Sequence, residues 1–338
     1  MPFLGIDLGA TNIAAALVDE SSSIIRQASK PTLAGRPALE IIDDMVGLSL
    51  RMLGAEGLIE KDITAIGVGI PGLVDPETGV VQLCPNLNWR QLPLKSMLQE
   101  RLSLPIYITN DANCAALAEL RVGAFQGRQS AVLITLGSGI GGGVILAGKL
   151  NTGAHGAAGE IGHLVVELDG ELCACGNRGC FERYASAEAL VRMYSTSKQA
   201  HSSSANTSMC PASANTPMCL VSDYQQMCTS SDKPQTAREI IEAAKNGEVE
   251  AVAVFEKYAC NLARGIVSII NLFDPEIIAL GGGVSQAGDF LLDAVQEEIA
   301  EHQFLKGYPI AEIVLAALGN EAGLIGAALY AQQERLKA

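Results

Sequence analysis

The chain is short of charge, and most of the charge it has is negative. Asp, Glu, Lys and Arg make up 18% of its 338 residues, below the usual share of about a quarter. Against 37 acidic residues stand 23 basic ones, for a formal net charge of −14. That deficit removes the positive surface that nucleic acid or an anionic membrane requires. It leaves nucleotides open, because backbone N–H groups and magnesium neutralise phosphates locally. A basic leader is also missing: Met-Pro-Phe-Leu-Gly-Ile-Asp-Leu-Gly enters a strand pattern at once and has no signal-peptide character. An uncharged, mostly apolar run, residues 131–148, has the length of a membrane span but carries six glycines. Three of them, Gly141 to Gly143, read as a turn between two strands. The expected location is therefore the cytoplasm. Nine cysteines, an odd number without an export signal, favour metal ligands or free thiols over a disulfide framework.

What is present is apolar and glycine-rich. The hydrophobic fraction is 49%, with 35 glycines, which supplies a well-buried α/β core with many tight bends. The length predicts two domains. Residues 3–7 and 13–18 read as strands of a hairpin, and the pattern returns 128 residues later. There Ile134-Thr135-Leu136-Gly137 matches Ile6-Asp7-Leu8-Gly9, so two related α/β halves are expected. Helical spacing predicts helices over 39–53 and 112–125, and strands are expected at 63–70, 105–109 and 276–280. Thr236-Ala-Arg-Glu239 reads as a capping box opening one long helix through 271. A small-residue-rich terminal helix is expected over 318–335.

Residues 195–233 are foreign in composition. They are rich in serine and hold the repeats Ser-Ala-Asn-Thr-Ser-Met-Cys (204–210) and Ser-Ala-Asn-Thr-Pro-Met-Cys (213–219), with a degenerate copy ending at Met227-Cys228. A soft-metal site would suit the Met-Cys steps. An expanded, flexible surface loop explains them more simply.

Three glycine-rich turns follow strands: Gly9-Ala10-Thr11-Asn12, the 137–143 stretch and Gly281-Gly282-Gly283. None has Walker A or Rossmann spacing. The first alone would pass for an ordinary hairpin, but all three together suit phosphates and an adenosine. Asp7, beside the first turn, suits magnesium. At the junction of a strand and a helix, Asp111 reads either as a plain N-cap or as a general base that orients a hydroxyl.

One stretch narrows the chemistry most. His163, Cys173, Cys175 and Cys180 fall within eighteen residues, bracketed by Glu160 and Glu182. One imidazole and three thiolates complete a tetrahedral zinc ion and leave no open position, so the metal is expected to be structural and a zinc hydrolase is disfavoured. The paired glutamates suit adjacent hydroxyls on a ring.

Together these residues resemble the ROK family of repressors and sugar kinases. The resemblance rests on Asp-Leu-Gly-Ala-Thr at 7–11, Asn110-Asp111, the glycine-rich 137–143, the cassette at 159–182 and Leu-Gly-Gly-Gly-Val at 280–284. It covers nearly the whole chain outside 195–233. It implies a two-lobed actin-like, hexokinase-like (ribonuclease H-like) ATPase fold: residues 1–111 plus about 313–338 in one lobe, 112–312 with the zinc in the other. It implies Asp111 as catalytic base, and Gly72, Asn86, Asn110, Glu160, His163 and Glu182 on a sugar. Gly9 to Asn12, with Thr135, Gly137, Ser138 and Gly139, would hold ATP phosphates. Asp7 would support magnesium, and Gly281, Gly282 and Gly283 would face the adenosine. The implied activity is phosphorylation of the 6-hydroxyl of glucose, with N-acetylmannosamine as the nearest rival substrate. The expected assembly is a homo-oligomer, a dimer or tetramer. A sugar-sensing repressor of the same family would need an added DNA-binding domain, for which a first strand at Phe3 leaves no room.

Overall fold

A computed structural model describes residues 1–204 and 236–337, with 200–204 described by their backbone alone. Strands β1 (Phe3–Leu8), β2 (Asn12–Val18) and β3 (Ile24–Pro31) form an antiparallel meander. Helix α1 (Ala38–Ala55) follows and buries Ile41, Ile42, Met45, Leu48 and Met52, the face its spacing predicts. It returns the chain to β4 (Ile66–Ile70) beside β1. A small sheet of β5 (Leu73–Val74), β6 (Val81–Cys84) and β7 (Trp89–Leu92) intervenes, and α2 (Leu94–Gln99) leads into β8 (Ile106–Asn110) and α3 (Asp111–Val122).

The second half opens with β9 (Ala131–Leu136), β10 (Ile140–Leu146) and β11 (Lys149–Leu150). The cassette, α4 (Glu182–Ala185) and α5 (Ala187–Ser204) follow, then α6 (Ala237–Lys245) and α7 (Val249–Phe273). The half closes with β12 (Ile277–Gly281), α8 (Asp289–His302) and β13 (Glu312–Leu315), and α9 (Ala322–Arg335) ends the chain. Among the described residues the two five-stranded sheets have orders β3-β2-β1-β4-β8 and β11-β10-β9-β12-β13. Their pairings run antiparallel, antiparallel, parallel, parallel in both. Asp7 pairs with Gly69, and Thr135, 128 residues on, pairs with Gly281 in the same relative place. The internal similarity seen in the sequence is thus a shared topology.

The halves exchange helices. α3 leaves the first sheet and packs on β10, while α9 leaves the second sheet and packs on β1 and β4. Both approaches depend on glycine. A Cβ on Gly143 would lie 2.4 Å from the Ala116 Cβ, and one on Gly67 would lie 1.7 Å from the Ala327 carbonyl oxygen. This corrects the expectation that Gly141 to Gly143 form a turn. They lie inside β10, where missing side chains let α3 and the 159–161 loop press onto the strand; the turn itself is Gly137-Ser138-Gly139. The expected single helix over 236–271 is also two. The capping box holds, with the Glu239 N–H donating to Thr236 Oγ1 at 3.3 Å and the Thr236 N–H to Glu239 Oε2 at 2.8 Å. Gly247 then adopts a φ of 81°, which ends α6 before α7 begins.

The terminal helix starts at Ala322, after a short 3₁₀ turn over Gly319–Glu321. The boundary expected near 313 falls within β13, which pairs with β12 in the second sheet. α5 continues to Ser204, into the serine-rich span, so the compositional break is not the end of the helix. The Met-Cys repeats beyond it lie outside the described residues. Separate apolar cores fill the first sheet with α1 and α2, and the second sheet with α5 to α8. Among the described residues no helix is long and apolar enough to cross a membrane.

Candidate active site

A cleft of about 650 Å³ opens between the two sheets, lined by Asp7, Asn12, Asp111, Thr135, Gly282 and Gly323 among others. β1, β4 and β8 bring Asp7, Gly69 and Thr109 into one row across the first sheet. Two residues beyond Thr109, the chain turns into α3. Here the structure corrects the reading of Asp111 as N-cap. Asn110 is the cap: its Oδ1 accepts from the Ala112 and Asn113 N–H groups at 2.8 and 3.2 Å. Its Nδ2 donates to the Gly72 carbonyl at 3.1 Å, which ties the helix start to the small sheet. Gly72 has a φ of 98° there, and a Cβ would lie 2.2 Å from the Leu83 carbonyl oxygen. Asp111 is thereby freed to point its carboxylate into the cleft, retaining one bond from the Ala112 N–H at 2.8 Å.

Burial raises the Asp111 carboxyl above its ordinary range. Burial, and then the Asp111 charge, push Asp7 up to about 7. The same Asp111 charge reaches Glu160, which is raised by burial first, against the lowering pull of His163. So Asp111 lines the cleft with Asp7, and its charge also acts on Glu160, which forms a second cluster with His163 and Glu182.

That cluster hangs on the cysteine knuckle. Turns at Gly176 and Gly179, with φ of 95° and 73°, fold 171–180 back on itself. The Cys173 N–H donates to the Asn177 carbonyl at 2.8 Å, and the Cys175 N–H to the Cys173 sulfur at 3.5 Å. The ligand atoms of His163, Cys173, Cys175 and Cys180 all lie within 4.8 Å of one another and can hold a metal ion. Zinc at about 2.3 Å from sulfur and 2.0–2.1 Å from nitrogen sets tetrahedral edges of roughly 3.8 Å (S···S) and 3.6 Å (S···N). Cys175 and Cys180 sulfurs are 3.6 Å apart, and the Cys173 sulfur lies 3.7 Å from His163 Nδ1. The donor set therefore fits zinc in kind and in spacing. Nδ1 faces the sulfurs, which leaves Nε2 turned to Glu160 Oε2 at 3.9 Å. Glu182 Oε1 lies 3.0 Å from the Cys173 sulfur, and its other oxygen would be 2.8 Å from a Cβ on Gly139. Glu182 thus sits between the knuckle and the second glycine turn.

Not every expected residue reaches the cleft. Of the first turn, Asn12 lines it; Gly9 instead closes the hairpin, its N–H donating to the Asn12 carbonyl at 2.9 Å. Ala10 and Thr11 form the tip between them, with Thr11 exposed and its carbonyl accepting from Thr32. Ser138 faces another hollow, beside Arg183 and Arg192. Gly137 anchors the start of α5 through its carbonyl. Gly281 is inside β12, Gly282 lines the cleft with a φ of 83°, and Gly283 opens the following 3₁₀ turn. Asn86 is exposed in the 3₁₀ turn that joins β6 to β7, two residues from Cys84, whose thiol is pushed up to about 11 by burial, with a smaller contribution from Asp111. Sequence reasoning missed Gln27 and Ser29 on β3, and Gly319, Asn320 and Gly323 at the start of α9. A Cβ on Gly323 would lie 2.7 Å from Asp7 Oδ2. The string Gly-Asn-Glu-Ala-Gly before a helix was the available signal.

The protein is similar along its whole length to known sugar kinases. A glucokinase of Streptomyces coelicolor is 35% identical over 333 residues, spanning 98% of this chain and 97% of that one. The crystal structure of a ROK family glucokinase from Streptomyces griseus, in complex with glucose and AMPPNP, superposes with a TM-score of 0.81 at 35% identity. That match covers 98% of this chain and all of the other. A candidate N-acetylmannosamine kinase of Listeria monocytogenes superposes at 0.76 with 25% identity, covering 99% of each chain. The ROK family model matches residues 3–334, and the chain belongs to the ROK family.

Proposed function

We propose that this protein is an ATP-dependent sugar kinase that transfers the γ-phosphoryl group to the 6-hydroxyl of glucose. The observation that carries this reading is the place of Asp111, a carboxylate that lines the cleft with Asp7 and whose charge also acts on Glu160, beside His163 and Glu182. ATP enters the cleft, with its phosphates near Asn12, Thr135 and the 137–139 turn and its adenosine toward Gly282 and Gly283. The sugar lies against Asn110, Glu160, His163 and Glu182, bounded by the Gly72 loop and Asn86.

His163 Nε2 and Glu160 Oε2 are 3.9 Å apart, too far for a direct hydrogen bond and close enough for one sugar hydroxyl to bridge. Asp111 accepts the proton of the attacking hydroxyl. Its burial makes it a better base than an exposed aspartate, and the loose transition state asks more of it in positioning than in basicity. Bound magnesium would neutralise developing phosphate charge, and Asp7 is the carboxylate placed to support it. Zinc, held by His163, Cys173, Cys175 and Cys180, would fix the imidazole ring and the Glu182 wall. The two sheets carry the two lobes, and closing them over the sugar excludes water that would otherwise take the phosphoryl group.

N-acetylmannosamine is the second reading, favoured by the His-Leu-Val-Val-Glu-Leu-Asp-Gly stretch at 163–170 and the likeness to the Listeria protein. The test is coupled detection of ADP release with glucose, mannose, fructose, allose, N-acetylglucosamine and N-acetylmannosamine. The highest kcat/KM is expected with glucose. A preference for N-acetylmannosamine moves the substrate assignment, and ADP release that no sugar accelerates overturns the kinase.

A further inference from the structure

Away from the cleft, a second set of metal-type side chains converges between α7 and α8. Glu298 and His302 are four residues apart on α8 and so share one face of the helix. Cys260 of α7 meets them there. The three ligand atoms lie within 4.8 Å of one another, and all three residues are half-buried. The Cys260 sulfur is 3.7 Å from His302 Nε2, and that nitrogen is 3.3 Å from Glu298 Oε2. A tetrahedral zinc ion requires edges of roughly 3.6 Å between sulfur and nitrogen and 3.3 Å between nitrogen and oxygen. Both edges match. A Glu–His contact along one helix explains the second of these distances, but not the thiol that arrives from a different helix at the spacing of two ligands on one ion.

We propose that Cys260, Glu298 and His302 bind a divalent transition metal of the zinc type as a clip between α7 and α8. The thiolate and imidazole exclude calcium and magnesium, which take oxygen ligands. The three protein ligands leave a fourth position on the solvent side for water. On binding, the thiol proton passes to solvent, and the thiolate and carboxylate together balance the charge of the ion. Arg264 also lies close to Cys260 and is the cation that the metal must outcompete. The site is separate from His163, Cys173, Cys175 and Cys180, and it does not depend on what the cleft phosphorylates.

The experiment counts zinc in the full-length, tag-free chain. Equilibrium competition with a chromogenic zinc chelator is run on the wild type, Cys260→Ser and His302→Ala. Each variant is expected to bind one equivalent less than the wild type, while glucose-dependent ADP release stays within twofold. Because the readout is a difference, every other thiol in the chain cancels. Equal zinc counts in wild type and both variants would show a hydrogen-bonded triad without an ion and overturn the proposal. Cobalt gives an independent measure, since the thiolate charge-transfer absorption must lose the Cys260 contribution in Cys260→Ser. An unchanged cobalt spectrum also overturns it. Retained far-ultraviolet dichroism guards against loss through misfolding, and Glu298→Gln, which keeps the shape and removes the charge, must weaken the same equivalent.

Discussion

Asp7 and Asp111, brought from β1 and the first turn of α3, share one wall of the cleft, and each is held above the ordinary carboxylate range. For Asp7 the causes are burial and then the Asp111 charge, which push it up to about 7 from an ordinary 3.8. Between those two pH values the folded chain keeps a proton on Asp7 that the unfolded chain has lost. The folded state binds more protons there, so this pair makes stability fall as pH rises through the window and level off above about 7. Asp7→Asn should remove that slope. In the ligand-free protein it should be more stable than the wild type at pH 8 by about 1–3 kcal/mol, with little difference at pH 4. Urea unfolding at the two pH values measures it. A variant less stable than wild type at pH 8 would show that the two carboxylates do not oppose each other.

Asp111→Asn tests the chemical role. The amide keeps the size of the side chain and its contact with the Ala112 N–H but takes no proton. kcat should fall by about 10²–10⁴, while glucose affinity measured by titration calorimetry stays within a few-fold. If kcat survives and affinity falls, Asp111 holds the sugar and another group is the base.

The parts of this site that were legible in the sequence are those whose chemistry is local. His163 and the three cysteines stand out as a metal-type ligand set by residue type and spacing, and the fold gathers them within 4.8 Å of one another; Asn110-Asp111 stands at a strand-to-helix junction that hydrophobic periodicity finds. The 128-residue echo between Asp7 and Thr135 announced the shared topology. What stayed hidden is set by distant contacts. Gly141 to Gly143 look like a turn because glycine's turn role is local. Their role in β10 depends on Ala112, Ala116, Gly159 and Ile161 approaching across the fold. Which of Asn110 and Asp111 caps α3 was equally invisible, since both side chains suit a cap, and the tether from Asn110 to Gly72 decides it. Gly319 and Gly323 reach the cleft only because α9 crosses back to the first sheet.

Metal removal tests the coupling between knuckle and sugar. Cys175 is exposed, so a chelator has a path to the cluster. Cys175→Ser, or zinc removal from the wild type, should raise the KM for glucose by about tenfold to a hundredfold, the usual cost of disturbing the groups that orient a site. The KM for ATP should change far less. Readdition of zinc should restore the stripped wild type and not the variant. Equal losses for both substrates would mean that the knuckle supports the fold as a whole rather than His163 and Glu182.

The exchange of helices between the halves predicts which glycines the fold cannot lose. In Gly67→Ala the new methyl would lie 1.7 Å from the Ala327 carbonyl oxygen, which belongs to the backbone of α9 and cannot rotate away. Either β4 or α9 must shift, and overpacking of that kind costs about 1–3 kcal/mol or more. Since α9 also supplies Gly323 beside Asp7, the shift should reach the cleft and lower kcat/KM as well as stability. Gly54→Ala is the matched control: nothing lies within 4 Å of the added methyl near the end of α1. Helix propensity alone should make it neutral or stabilising by up to about 1 kcal/mol. Urea unfolding of the two variants separates these effects. Comparable stabilities for Gly67→Ala and the wild type would mean that α9 does not rest on β4 as closely as the backbone contact requires.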